Sequence, residues 1–281
     1  MKTIKTYNSI DIPLVGFGSF LATESKGVQN IIDALDVGYN YIDTAYFYKN
    51  ESQIGEAIKQ TGTDRSKLFI CSKVWPTMMG YEGTLDSFEK STDALLTDYL
   101  DMFLIHWPKK SMHDNEWKEY LRDSWKAMEE LYESGKVRVI GLSNFLPHHI
   151  RVILETARIK PMINQLELHV GYMQSEAVSF SKKMGMVVQA WSPLGRARVL
   201  NDENVIAMSK KYNRTPAQIL LRFLVQQDIA VIPKASSKER MTENLNIFDF
   251  TIEEDDMSFL ACLPQRGYSG EHPDFFGKLV D

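Results

Sequence analysis

Eight short runs rich in β-branched and aromatic residues punctuate this chain, with longer amphipathic stretches between them. The runs are LVGFGS (14–19), YIDTA (41–45), LFICSKV (68–74), DMFLIHW (101–107), VRVIGLSN (137–144), INQLEL (163–168), MVVQAW (186–191) and IAVIPK (229–234). Each is too short for a buried helix and suits a strand covered on both faces. The stretches between them carry helical spacing. Val28, Ile31, Ile32 and Leu35 share one face, and 87–100 and 121–135 also read as helices. Gly135 is placed to close the last of these, and Thr215 followed by Pro216 to open another. Parallel strands need crossovers, so eight strand–helix units in succession predict an α/β fold, a single (β/α)8 TIM barrel. An open doubly wound sheet is the alternative.

No Ser/Gly-rich linker or low-complexity stretch interrupts the 281 residues, so one barrel domain over 1–281 is the simpler expectation. The opening 1–13 reads as a β-hairpin under the barrel floor, and the closing EHPDFFGKLVD (271–281) as a short tail or loop. The formal net charge of −5 comes without a basic block, which argues against nucleic acid as a partner. Two distant cysteines, Cys71 and Cys262, make neither a disulfide framework nor a spaced metal site, and they fit a reducing compartment. With no signal-like opening and no membrane-length apolar run, the expectation is a cytoplasmic protein. No interface element stands out, so a monomer is expected.

In a barrel, chemistry sits where strands finish. The second run ends at Asp43, with Tyr48 in the loop beyond it; the third supplies Lys73 and Trp75, and the fourth His106 and Trp107. Alone, each has an ordinary explanation: a cap, a satisfied ion pair, a structural histidine. Together, on three neighbouring strand ends, they form a proton-handling set. A phenol titrates near ~10, a lysine cation beside it lowers that value, an aspartate holds the lysine, and a histidine orients a carbonyl. This is the acid half of a carbonyl reduction.

The hydride has to come from a cofactor. The Rossmann fingerprint is missing: Gly16 and Gly18 are followed by Leu21 where a third glycine belongs. Walker A, HExxH and HxH patterns are missing too, so no metal site is expected. The later strand ends offer an alternative. Ser143, Asn144 and Gln165 can hydrogen-bond a carboxamide, and Trp191 presents a flat face to a nicotinamide, with a tight turn at 192–195. Lys234, Ser236, Ser237 and Arg240 can wrap an anion at a helix start, although Glu239 and Glu243 among them also fit a merely solvated helix end.

Seven blocks, GYNYIDTAYFYKNE, SKVWP, LIHWP, VIGLSNF, INQLELH, QAWSPLG and VIPKASSKERMTEN, follow in order and spacing those of the aldo-keto reductases. Nearly the whole chain is similar to that family, in particular to the bacterial-type branch that includes 2,5-diketogluconate and glyoxal reductases. The resemblance implies a TIM barrel that binds NADPH/NADP+ in an extended form and reduces small-molecule aldehydes and ketones. It implies Tyr48 as general acid, Lys73 and Asp43 tuning it, and His106 orienting the carbonyl. The cofactor contacts it implies are Ser143, Asn144, Gln165, Trp191, Ser192 and Leu194, then Lys234, Ser237 and Arg240 for the adenosine phosphate, with Glu243 and Asn244 by the adenine. Phe20, Trp75 and Trp107 would form an apolar substrate wall. Several positions depart from the common pattern: Trp191 stands for a frequent tyrosine, Phe20 for a tryptophan, and Ala235 for a phosphate-binding serine, which leaves NADH as the lesser alternative. With little chain after Pro264, an open mouth and broad selectivity are expected. The competing reading is a non-catalytic NADP(H)-binding sensor or regulatory barrel.

Overall fold

The computed structural model describes residues 2–275. The expected runs all become strands: β3 (Phe17–Gly18), β4 (Tyr41–Asp43), β5 (Phe69–Val74), β6 (Leu100–Ile105), β7 (Val137–Ser143), β8 (Ile163–Glu167), β9 (Val187–Trp191) and β10 (Ile229–Val231). They pair in parallel, in chain order, as one eight-stranded sheet. The edges meet at a seam. A parallel bridge joins Val15 to Val231, and the Gly16 and Gly18 amides donate to the carbonyls of Val231 (2.8 Å) and Pro233 (3.1 Å). The barrel is therefore closed. β10 stops early because Pro233 has no amide hydrogen to extend the ladder.

Helices α1 (Val28–Asp36), α2 (Glu51–Thr61), α3 (Tyr81–Leu95), α4 (Trp117–Glu133), α5 (Pro147–Leu154) and α6 (Ser175–Lys183) follow successive strands. Helices α7 (Glu203–Tyr212) and α8 (Pro216–Val225) share one crossover, while α9 (Lys238–Leu245) and α10 (Glu254–Ala261) follow the last strand. As expected, Thr215 caps α8 in a reciprocal box: its hydroxyl accepts from the Gln218 amide (3.2 Å), and the Gln218 side chain accepts from the Thr215 amide (3.1 Å). Gly135 follows α4 with φ +76°, the left-handed exit a glycine permits. The helix expected over 87–100 is shifted: α3 starts at Tyr81 and ends at Leu95, because Leu96 turns left-handed (φ 56°) and Leu100 opens β6.

An antiparallel hairpin, β1 (Thr3–Lys5) with β2 (Asp11–Pro13), lies at the N-terminal ends of the barrel strands. There the Asn8 amide reaches the Arg138 carbonyl (3.1 Å) and the Tyr7 hydroxyl that of Lys160 (2.6 Å). At the opposite mouth, residues 264–275 form a strap rather than a loose tail; Phe276 and beyond lie outside the described residues. Arg266 pairs with Asp202, Ser269 donates through its amide (3.0 Å) and hydroxyl (2.6 Å) to Glu167, and Arg196 pairs with Glu271 (2.7 Å). Asp274 then accepts from Lys109 (2.7 Å), His148 (3.1 Å) and His149 (3.0 Å). Among the described residues no helix is long and apolar enough to cross a membrane.

Candidate active site

Strand alternation decides which side chains enter the barrel. Tyr41 and Asp43 are two apart on β4, Cys71 and Lys73 on β5, and Gln189 and Trp191 on β9, so each pair shares a face. Lys73 is fully buried in a strand with no exposed residue. Its ammonium donates to Asp43 Oδ1 (2.6 Å), to the Thr44 carbonyl (2.9 Å) and to the Tyr48 hydroxyl (3.4 Å). All three of its hydrogens are thereby used. Asp43 is no helix cap: its second oxygen accepts from Gln165 Nε2 (2.8 Å). Tyr48 closes a single 3₁₀ turn, Tyr46–Tyr48, that brings its ring back over Lys73, with the ammonium 5.0 Å from the ring centre.

The electrostatics refine the expectation drawn from sequence. Burial works against the Lys73 cation, but Asp43, with Tyr48 and Cys71, outweighs it, and the lysine is driven above its usual range. Burial pushes the Tyr48 phenol up to about 12, against the pull of Lys73, with Asp43 adding to the rise. The lysine does lower the phenol, as expected, yet burial and the nearby carboxylate win, and Tyr48 stays protonated at neutral pH. His106 sits edge-on to Tyr48, ring centres 5.7 Å apart. Burial first, and then the Lys73 charge, hold its imidazole well below the ordinary range, so it is neutral. Its Nδ1 is buried without a partner. A buried N–H without an acceptor is the worse loss, so we assign the proton to Nε2, leaving Nε2–H as a donor to an incoming oxygen.

These groups open onto a cleft of about 1100 Å³. Of the residues expected at the site, the cleft is lined by Asp43, Tyr48 and His106, by Phe20, Trp75 and Trp107, and by Asn144, Gln165, Trp191, Ser192 and Leu194. Lys234, Ser236, Arg240, Glu243 and Asn244 line its far end. Lys73 lies beneath, behind Asp43 and Tyr48. Ser143 is fully buried, its hydroxyl accepting from Asn144 Nδ2 (3.2 Å). Ser237 caps α9, accepting from the Arg240 amide (3.4 Å). Asn144 is heavily engaged within the protein, donating to the His106 carbonyl (3.0 Å) and accepting from the Trp191 indole (2.8 Å). Glu243 accepts from the Thr215 hydroxyl.

Sequence reasoning missed several lining residues. Phe47 stacks on Trp75 (centres 3.8 Å, planes 9° apart) and thickens the aromatic wall. Arg196 and Glu271 reach the cleft as a pair, Glu271 from the strap. The AYFY run signalled Phe47; a loop arginine and a tail glutamate carry no comparable signal.

A family model described as the aldo/keto reductase family matches residues 22–262. The chain belongs to the aldo/keto reductase family. It is 40% identical over 273 residues to the glyoxal reductase of Bacillus subtilis strain 168, spanning 97% of this chain and 96% of that one. It is 39% identical to the 9,11-endoperoxide prostaglandin H2 reductase of Trypanosoma cruzi strain CL Brener, spanning 97% and 95%. Among solved structures, the aldo/keto reductase of Brucella melitensis superposes with a TM-score of 0.86 at 36% identity, covering 92% of this chain and 98% of that one. Membership of this family supports an oxidoreductase that reduces carbonyls with a nicotinamide cofactor.

The residues present fit such a cofactor. Trp191 is only partly buried at the cleft, and Gln165, which also lines it, has a side-chain oxygen that accepts no hydrogen bond among the described residues. Lys234 and Arg240 are exposed at the far end and, among the described residues, have no carboxylate partner. Lys238, two residues before Arg240, is already paired with Asp36 (2.9 Å).

Proposed function

We propose that this protein is an NADPH-dependent carbonyl reductase in which Tyr48 is the general acid. The observation that carries the reading is the buried Lys73 bonded at once to Asp43 (2.6 Å) and Tyr48 (3.4 Å), the two groups that line the cleft above it. Bound reduced nicotinamide supplies the hydride. His106, neutral, donates from Nε2 to the carbonyl oxygen and holds the carbon toward Trp191. Tyr48 gives its proton to the oxygen as negative charge develops there. An alkoxide is more basic than a phenolate, so even this weakly acidic phenol transfers downhill. Lys73 stabilises the phenolate left behind, and Asp43 keeps the lysine charged. Lys234 and Arg240 would pair with the phosphate that distinguishes NADPH from NADH. Phe20, Phe47, Trp75 and Trp107 exclude water and favour a small carbonyl with an apolar or planar flank.

The test measures oxidation of NADPH and of NADH against methylglyoxal, an aromatic aldehyde, a keto sugar and a keto steroid, using wild type and Tyr48→Phe. Turnover should favour NADPH and fall by about 10²–10⁴-fold in the variant, the usual span for a lost general acid. NADPH affinity should change less than about twofold, since the Tyr48 hydroxyl serves the substrate oxygen and not the cofactor. Equal loss of turnover and binding would sink the assignment.

A further inference from the structure

Asp43 is tied to a buried polar chain that crosses the barrel below the cleft floor. The register pairs Gln165 with Gln189 on adjacent strands. Gln165 Nε2 donates to Asp43 Oδ2 (2.8 Å) and to Gln189 Oε1 (2.7 Å), which commits both its hydrogens. Gln189 Oε1 also accepts from the Tyr41 hydroxyl (3.1 Å). Gln189 and Tyr41 are both fully buried, and Gln189 Nε2 has no partner. That orphan is informative. Turning the amide over would face nitrogen to nitrogen at Gln165, because the Asp43 carboxylate already requires Nε2 on that side; the arrangement instead leaves one donor unpaired. Tyr41 is itself pinned, edge-on to Phe69 at 5.0 Å and packed where a Cβ on Gly16 would lie 2.5 Å from its ring.

We propose that Gln189, backed by Tyr41, is a positioning residue that sets the plane of the Gln165 amide and so aims its carbonyl oxygen at the carboxamide N–H of a nicotinamide; this rests on the cofactor reading above. Asp43 alone fixes which end of the amide faces it, while the plane stays free to turn about that one bond. A second acceptor on the other hydrogen removes the freedom. The same two bonds tie the amide that would orient the cofactor to the carboxylate that holds Lys73.

The experiment compares dissociation constants, read by quenching of tryptophan fluorescence, for NADPH and for reduced 3-acetylpyridine adenine dinucleotide phosphate. In the analogue a methyl group replaces the carboxamide nitrogen, so it has no N–H to give. Wild type should bind NADPH about fivefold more tightly than the analogue, the worth of one net hydrogen bond. Gln189→Met keeps the volume but not the acceptor, and should lose that preference while binding the analogue as wild type does. Gln189→Glu restores an acceptor and should regain most of the preference, which a packing role would not require. Equal affinities in wild type overturn the inference without any variant, as does Gln189→Met weakening both nucleotides alike. Absence of binding by either nucleotide to wild type would instead overturn the cofactor reading, a separate result.

Discussion

At the scale of single residues, the site is governed by competition between burial and one cation. Tyr48 is held near 12 and His106 well below its usual range, and both are therefore neutral over the working range. In the proposed mechanism carbonyl reduction needs Tyr48 protonated; that proton is present below about 12 and is lost only as pH rises through that value. The alkaline limb of kcat for reduction should accordingly lie well above the ~10 of an unperturbed phenol. A pH–rate profile measured from neutrality to about 11 checks this; a limb centred near ~8 would mean that Lys73 overcomes burial after all. Asp43, Tyr48, Lys73 and His106 were legible in the sequence because each stands at or beside the end of a recognisable strand. Gln189 and Tyr41 were not. A polar residue inside MVVQAW or YIDTA shows which face it occupies only once the register across the sheet is known, and register is a property of pairs of strands.

Among the elements, β3, the first strand of the barrel, carries a strict steric demand. β3 is two residues long, and Gly18 lies against the backbone on the far side of the seam: a Cβ there would sit 2.7 Å from the Ile232 carbonyl oxygen. Backbone cannot swing aside as a side chain can, so Gly18→Ala should cost about 1–3 kcal/mol, the range for overpacking. A lowered urea midpoint with unchanged slope would report it, while an unshifted midpoint would show that the seam yields. Run length and residue type revealed all eight barrel strands, whose residues are buried apart from Arg138 on β7 and the partly exposed Trp191 on β9, while the helices were read from periodicity. Periodicity placed α3 poorly because Leu96, the residue that ends the helix, is apolar and continues the helical pattern while its backbone leaves it. The strap escaped as a structured element because it has no period at all: its order comes from ion pairs and hydrogen bonds to distant loops.

For the molecule as a whole, the strap links stability to acidity. Asp274 gathers Lys109, His148 and His149, and His149 is fully buried, its Nδ1 accepting from the Leu146 amide (3.2 Å) while Nε2 faces Asp274. Burial pushes His149 down to about 3, helped by His148 and opposed by Asp274. Its unfolded value is ~6.5, so above that both states are neutral and the stability is fully present. As pH falls from ~6.5 towards 3, the unfolded chain gains a proton that the folded chain refuses, and stability declines by an order of a few kcal/mol at most. Denaturation midpoints between pH 7 and 4 should fall less steeply in His149→Gln than in wild type; parallel slopes would remove His149 as the cause.

The seam has a further consequence, in time rather than in energy. Across it, Asn30 Nδ2 donates to the Ala235 carbonyl (3.1 Å), partners 205 positions apart, and Val15 bridges Val231. Every other strand pairing joins neighbours in sequence, while this one waits until nearly the whole chain has been gathered. Loop-closure entropy grows only slowly with length, so the ring loses little equilibrium stability by being joined there. Long-range pairing does slow folding, and closing the ring at its ends makes the meeting of the first and last strands the natural late step in the assembly of the protein.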